Sequence, residues 1–377
     1  MNEICSSIDY SERPFLVCWE TTHACDLVCQ HCRANAEPEA MPGELSTQEA
    51  KKLIREVSDW GVPVLIFSGG DPLKRIDLEQ LIEDAVQLGI RTAAIPAVTG
   101  LLKEKRLEAL KKAGLHQIAF SLDAANAEEH DRFRGKEGVF QRTLESVRIA
   151  HRLGFSVQIN TLINIHNILK LDELICLVQT LPIVFWEVFF LVPVGRAMEL
   201  AVLDAGKMKE AFEAIYALSR RASFIIKVTE AQHYRRFVFE KEWLLQGRKI
   251  EEIRAKDITL PSYLKNPTGP GKSIGRAPVG VNAGKGFVFV SAQGDVFPSG
   301  FLPVAAGNIR KTSLRESYQN AVIMRELRDA SLLKGRCGQC LYREICGGSR
   351  SRAFALTGDY LAEEESCDYQ PVLPIMR

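Results

Sequence analysis

The sequence predicts an α/β fold: an open, partial (β/α)6 barrel followed by a small cysteine-rich domain. Three observations carry that expectation. Short apolar runs alternate with amphipathic stretches between residues 15 and 192, polar and thiol residues follow the ends of several of those runs, and four more cysteines gather after residue 336.

The run "FLVCWE" (15–20) reads as a buried strand, and "STQEAKKLIREVSDWG" (46–61) as a helix capped by Ser46 and ended by Gly61. Next come "VPVLIFSGG" (62–70) as strand and "IDLEQLIEDAVQLG" (76–89) as helix. "IRTAAIPA" (90–97) is a strand, and "KEKRLEALKKAG" (103–114) is helical. "HQIAFSLD" (116–123), "FSVQINTLI" (155–163) and "VFWEVFFLV" (184–192) continue the strand series, with helices expected at about 140–153 and 170–180. Strands alternating with helices imply parallel pairing and right-handed crossovers. Six units fall short of a closed eight-stranded barrel, and in such folds the chemistry sits at the C-terminal strand ends.

Beyond residue 205 the pattern is helical and less regular. "NPTGPGKSIGRAPVGVNAGKG" (266–286) reads as a linker or loop. "FVFVSAQGDVFPSG" then alternates around Gln293, Gly294 and Asp295, a hairpin signal, and a helix at about 313–328 precedes the last cysteine group. The expected divisions are a barrel over 1–205, a helical bridge and linker over 206–275 and a cysteine-rich domain over 276–377.

Composition excludes some classes. A chain of 377 residues, 46% hydrophobic and 25% charged, carries a substantial core, and a net charge of +1 gives no bulk attraction to nucleic acid or acidic membranes. The start "MNEICSSIDYSERPF" lacks a signal-peptide pattern, and no apolar run approaches the roughly 18 residues of a membrane span. These features point to the cytoplasm, with no nucleic-acid or membrane partner. In that reducing compartment ten cysteines are not expected to form disulfides. The solitary Cys5, Cys18 and Cys176 read as small buried apolar side chains.

The grouped cysteines are a different matter. "CDLVCQHC" spaces Cys25, Cys29 and Cys32 as C-x3-C-x2-C with no fourth thiol nearby. A structural zinc site needs four ligands, and a disulfide framework prefers even counts. Three thiols instead suggest a metal centre with one open position, since thiolates select zinc, copper(I) or iron–sulfur clusters. Ser68, Gly69, Gly70, Asp71, Ser121, Asp123 and Asn160 lie just past other strand ends, on the same expected rim. Two successive glycines there allow close backbone approach to a ligand.

At this point the sequence resembles the radical S-adenosylmethionine (SAM) superfamily, whose signature is C-x3-C-x-aromatic-C after the first strand of a partial barrel. The resemblance implies a [4Fe–4S] cluster on Cys25, Cys29 and Cys32 that reductively cleaves SAM to a 5′-deoxyadenosyl radical. It implies an external one-electron donor such as flavodoxin or ferredoxin. His31 stands where the family has an aromatic residue, so it is expected beside the adenine. "FSGGDP" matches a Gly-Gly-Glu turn that holds the methionyl amine, with Asp71 in place of glutamate. Asp123, Asn160 and Ser121 match positions facing the ribose and carboxylate, and Arg134 is a further candidate for the carboxylate.

Cys337, Cys340, Cys346 and Cys367 follow C-x2-C-x5-C-x20-C. Four thiols can close a zinc site. The spacing resembles the SPASM or twitch extension of radical SAM enzymes, which implies a second [4Fe–4S] cluster. Asn282 and Ser299 stand where a full SPASM domain has further cysteines, so a one-cluster form is expected. "PSGFLPVAAGNIR" and "CGGSRSRAFALTGDY" resemble the group acting on siroheme-derived tetrapyrroles in haem formation. That resemblance implies hydrogen abstraction from a tetrapyrrole side chain, with Arg196, Arg350 and Arg352 as candidate partners for its carboxylates. The small expected segment before the first strand tilts the reading away from a peptide substrate. The alternatives are a maturase of ribosomally made peptides and a non-catalytic iron–sulfur electron carrier.

Overall fold

The computed structural model describes residues 9–259 and 280–371. Most of the expected 266–286 linker, the 275/276 division and Cys5 lie outside these residues. Strands β1 (Leu16–Glu20), β2 (Val64–Ser68), β3 (Arg91–Ala94), β4 (Gln117–Ser121), β5 (Ser156–Ile163) and β6 (Phe185–Phe190) pair in that order, every pair parallel. Helices α1 (Thr47–Asp59), α2 (Leu78–Gln87), α3 (Glu104–Lys112), α4 (Ala127–Arg134), α5 (Val139–Arg152) and α6 (Leu171–Gln179) occupy the crossovers.

Alternation along each strand sorts side chains onto two faces. In β6, Trp186, Val188 and Phe190 are fully buried in the main hydrophobic core, whereas Glu187 and Phe189 line a cavity on the other face. In β1, Val17 and Trp19 join that core while Leu16 and Cys18 face the cavity. The helices begin where the sequence marks them. Ser46 caps α1 through a reciprocal capping box with Glu49, and Asn126 caps α4 by accepting from the Glu129 amide.

The bridge expected to be helical needs correction. Between α7 (Ala205–Ser219) and α8 (Tyr234–Leu245) lies a seventh strand, β7 (Ile225–Thr229), parallel to β6. Its five residues sit between two helical patterns, and a run that short shows no periodicity of its own. The cysteine-rich region also joins the sheet. Beyond the short β8 (Asn282–Ala283), β9 (Gly286–Val290) lies parallel to β1, extending the sheet past its first strand. β10 (Asp295–Phe297) pairs antiparallel with β9, as the hairpin signal implied, and β11 (Gly307–Asn308) pairs with β10.

The helix expected at 313–328 is two, α9 (Leu314–Asn320) and α10 (Val322–Arg328), because Ala321 takes an extended conformation between them. The short α11 (Gly335–Gly338) and α12 (Arg350–Thr357) complete the chain. Of the solitary cysteines, Cys18 packs, partly buried, against an apolar cluster beside the cavity, whereas Cys176 is exposed on α6 and is not the buried side chain expected.

A buried ion pair inside the C-terminal region also ties that region to the barrel through the Leu191 carbonyl. Arg352, with no exposed surface, donates through Nε (2.9 Å) and Nη2 (2.8 Å) to both oxygens of Glu364, and through Nη1 to the Leu191 carbonyl just past β6 (3.0 Å). Arg352→Ala strands a buried carboxylate and is expected to cost about 3–5 kcal/mol, read from the urea midpoint. A paired Arg352→Met, Glu364→Leu variant should recover most of that loss, because neither charge is then left alone.

Candidate active site

The loop after β1 carries three thiols and has little regular structure, so its position depends on what takes its backbone groups. On one side it is zipped to the turn after β2. The Thr21 amide and hydroxyl donate to the Ser68 carbonyl (2.8 and 2.9 Å), the Gly70 amide to Thr22 (2.8 Å) and the Asp71 amide to Ala24 (2.6 Å). A Cβ on Gly70 would lie 2.4 Å from the carbonyl oxygens of both His23 and Ala24. The glycine is required by the thiol loop itself.

On the other side Arg196 straps the loop. Its amide donates to the Cys32 carbonyl (3.0 Å), Nε to Cys29 (2.9 Å) and Nη1 to Ala36 (3.3 Å). Gly195, at φ +58°, lets the chain approach so closely that a Cβ would meet the Cys32 oxygen at 2.4 Å. Arg196 therefore serves the loop through Nε, Nη1 and its amide; its Nη2 is buried without a partner and the residue does not line the thiol cavity, so the expectation that it binds a substrate carboxylate is corrected.

The clamped loop brings Cys25, Cys29 and Cys32 into the wall of one cavity of about 230 Å³. His31, Ser68, Gly69, Gly70, Ser121, Asp123, Asn160 and Arg134 line the same cavity. Asp71 is the exception. It is fully buried, with Oδ1 accepting from the Leu73 (3.1 Å) and Ala97 (3.3 Å) amides and Oδ2 from the Thr99 hydroxyl (2.9 Å). The shorter carboxylate braces the turn from behind and does not reach the cavity.

Charge in the cavity centres on Arg134, at the end of α4, a helix the sequence reading missed although Asn126 and Gly135 mark its ends. Its Nη2 pairs with Asp123 and its Nη1 lies 3.7 Å from the Cys29 sulfur. Burial raises the Asp123 carboxyl, but Arg134 and the Leu162 amide outweigh it and leave the group below its ordinary value. Burial pushes the Cys25 thiol up to about 12 and raises Cys29 against the pull of Arg134. His31 stacks on Phe133 (centroids 4.6 Å apart, planes 8° apart), and burial followed by Arg134 brings it down to about 3. Its Nδ1 and the Arg134 Nε are buried without a hydrogen-bond partner. Asn160 Oδ1 accepts from Gln158 (2.6 Å).

The Radical SAM superfamily pattern matches residues 19–175, from β1 through most of α6. An AdoMet-dependent heme synthase of Methanosarcina barkeri is 38% identical over 365 residues, covering 97% of this chain and 99% of that protein. The chain belongs to the radical SAM superfamily. A PqqA peptide cyclase of Rhodopseudomonas palustris is 28% identical, covering 95% of this chain and 88% of that one. Streptococcus suis SuiB shares the fold at TM-score 0.69 and 18% identity, covering 95% of this chain and 78% of that chain. A radical SAM enzyme uses a [4Fe–4S] cluster and SAM, and SAM cleavage is its general activity. The electron-carrier alternative is thereby set aside.

In this radical SAM enzyme the four rear cysteines line a single separate cavity with His233, Arg236, Arg336 and Glu364. Each sulfur has an N–H donor near it: Glu364 and Arg350 at Cys337 (3.3 and 3.8 Å), Tyr342 at Cys340 (3.4 Å), Gly348 at Cys346 (3.4 Å) and Arg236 at Cys367 (3.9 Å). Arg350 also donates to the carbonyls of Tyr360 (2.9 Å) and Ala362 (2.7 Å). Arg350 and Arg352 are therefore buried anchors, and the expectation that they meet a substrate carboxylate is corrected. Asn282 and Ser299 bond elsewhere: Asn282 Nδ2 to the Gly348 carbonyl (3.0 Å), Ser299 to Glu230 (3.3 Å).

Gly70→Ala should shift the thiol loop while leaving the fold intact. SAM cleavage is expected to fall about 100-fold, the scale for a displacement near 1 Å, with unchanged far-ultraviolet circular dichroism. The carboxyl of Asp71 is raised by burial to about 6. An acid raised in the folded state favours folding while protonated, so its contribution is lost as pH rises from about 4 to about 6. Asp71→Asn removes that dependence. The stability difference between the variant and the wild type should therefore shift in the variant's favour across this window and level off above it, read by urea unfolding at each pH.

Proposed function

We propose that the enzyme abstracts hydrogen from a side chain of a siroheme-derived tetrapyrrole on the way to haem, in the cytoplasm, with flavodoxin or ferredoxin as electron donor. The observation that carries this is the 38% identity with the heme synthase, aligned over nearly the whole length of both chains. Cys25, Cys29 and Cys32 would hold one [4Fe–4S] cluster, and three thiolates would leave it open to SAM. Such a cluster, once reduced, would supply the electron for the reductive cleavage of SAM.

The chain's own residues do the positioning. Gly69 and Gly70 present main chain to the methionyl end, while Ser121, Asp123 and Asn160 face the ribose and carboxylate. His31 and Phe133 form an apolar shelf for the adenine. Arg134, paired to Asp123, sets positive charge against the Cys29 thiolate and so favours its ionised form. A carbon radical beside a carboxymethyl group becomes an alkene by losing CO2 and one electron. Cys337, Cys340, Cys346 and Cys367 would hold a second [4Fe–4S] cluster, which would supply an acceptor for that electron. All four rear cysteines lining one cavity supports this.

Anaerobically reconstituted enzyme should bind about eight irons, four per cube; zinc with little iron at the rear site overturns the second cluster. Incubation with SAM, a reductant and siroheme or its decarboxylated derivatives should raise 5′-deoxyadenosine and release CO2. Cys29→Ala abolishes SAM cleavage, whereas Cys340→Ala stops substrate turnover but keeps some cleavage. If no tetrapyrrole raises the deoxyadenosine yield and a small peptide does, the PqqA-like peptide reading replaces this one.

A further inference from the structure

The cavity of the front thiols continues into a second one of about 200 Å³ inside the curl of the sheet, the two sharing Arg33, Ser68, Ile95, Phe189 and Phe301. This inner chamber is walled by side chains on the lumen face of β1, β2, β6, β7 and β9, with Phe287 and Phe289 adding to its aromatic surface. At its far end stands Asn282, whose Nδ2 donates to the carbonyls of Cys346 (3.4 Å) and Gly348 (3.0 Å). The chamber thus runs from the front thiols to the backbone that carries the rear ones.

Three cations line it: Arg33, Lys227 and Arg235. Two are already matched. Arg33 pairs with Glu20 (3.1 Å) and lies over the Phe289 ring, and Lys227 pairs with Glu187 (2.6 Å). Arg235 is different. Its Nη1 donates to the Ile345 carbonyl (3.0 Å) and its Nη2 to that of Val281, and among the described residues no carboxylate pairs with it. A guanidinium carries five donors and a charge it does not lose. Held in an apolar chamber, it favours an anion brought by a ligand.

We infer that Arg235 binds a carboxylate of the substrate, and that the chamber takes a flat apolar body with carboxylates at its edge. The Phe189, Phe289 and Phe301 rings offer the body apolar contact. Anchorage at Arg235 fixes one edge near the rear cysteines and turns another toward the front ones. Unlike Arg196, Arg350 and Arg352, none of which lines either cavity, Arg235 faces the chamber; the assignment takes their place and rests on the tetrapyrrole reading.

The test is binding to the reconstituted holoenzyme, followed by the porphyrin absorbance. The probes are iron coproporphyrin III, which has four propionates, and its tetramethyl ester. Wild-type enzyme should prefer the acid. Arg235→Gln should bind the acid about 10- to 100-fold more weakly, the worth of one charge-assisted bond, and the ester as the wild type does. Arg235→Lys should restore part of the preference. A purely structural arginine strap would weaken both probes alike, and that result overturns the inference. So does equal binding of acid and ester by the wild type, a comparison that needs no variant to fold. In that case the tetrapyrrole reading stands and the Arg235 assignment alone falls. If the wild type binds neither probe, the tetrapyrrole reading falls and takes the assignment with it.

Discussion

The site depends on main-chain contacts that hold a loop with almost no structure of its own. Three thiols must stand at fixed positions on one rim, and a flexible loop would lose that arrangement to conformational entropy. Here the loop carbonyls of Thr22 and Ala24 are taken by the Gly70 and Asp71 amides, and those of Cys29, Cys32 and Ala36 by Arg196 and its amide. The grip comes from the turn after β2 and the segment after β6, so the barrel's own curvature sets the spacing of the clamps. Within the loop the sulfurs of Cys25 and Cys32 also accept from the amides of Leu27 (3.4 Å) and Ala36 (3.5 Å).

Buried sulfur raises a second difficulty, because burial opposes the thiolate that a metal needs. Both thiol groups meet it with arginine. Arg134 stands against Cys29, while Arg350 and Arg236 stand against Cys337 and Cys367. Each arginine is itself held: Arg134 by Asp123, Arg236 by Glu240 (2.8 Å) and Asp368, Arg350 by two carbonyls. The same chemical answer recurs in two unrelated pieces of local structure, one at the end of α4 and one between α8 and the start of α12.

Much of this was legible in the sequence, for physical reasons. Six strands announced themselves by apolar runs between capped helices, and C-x3-C-x2-C after the first of them marked the rim. β7 and α4 were missed because each is short, and α4 buries little more than His130, Phe133 and Arg134. The arginines were misjudged. Arg196, Arg350 and Arg352 follow glycine- and serine-rich segments that read as open loops, yet their charges are consumed by carbonyls and Glu364. Arg235, half-buried in a polar-looking helical stretch, gave no signal, since the lack of a carboxylate partner is visible only in three dimensions. Asp71 shows the same limit: its place in the turn was foreseen, but the shorter side chain points away from the cavity.

The parallel pairing of β9 with β1 also bears on how the protein is made. Leu16 and Phe287 are neighbours in the sheet although they lie near opposite ends of the chain. During synthesis β1 can pair with β2 early, but its other edge stays open until most of the polypeptide has left the ribosome. An open edge invites wrong pairing, and contacts between distant segments form slowly. The thiol loop hangs directly from that unfinished strand. The clamps from the turn after β2 and from Arg196 are made before β9 exists, so the loop can be gripped on a strand whose outer edge is still open.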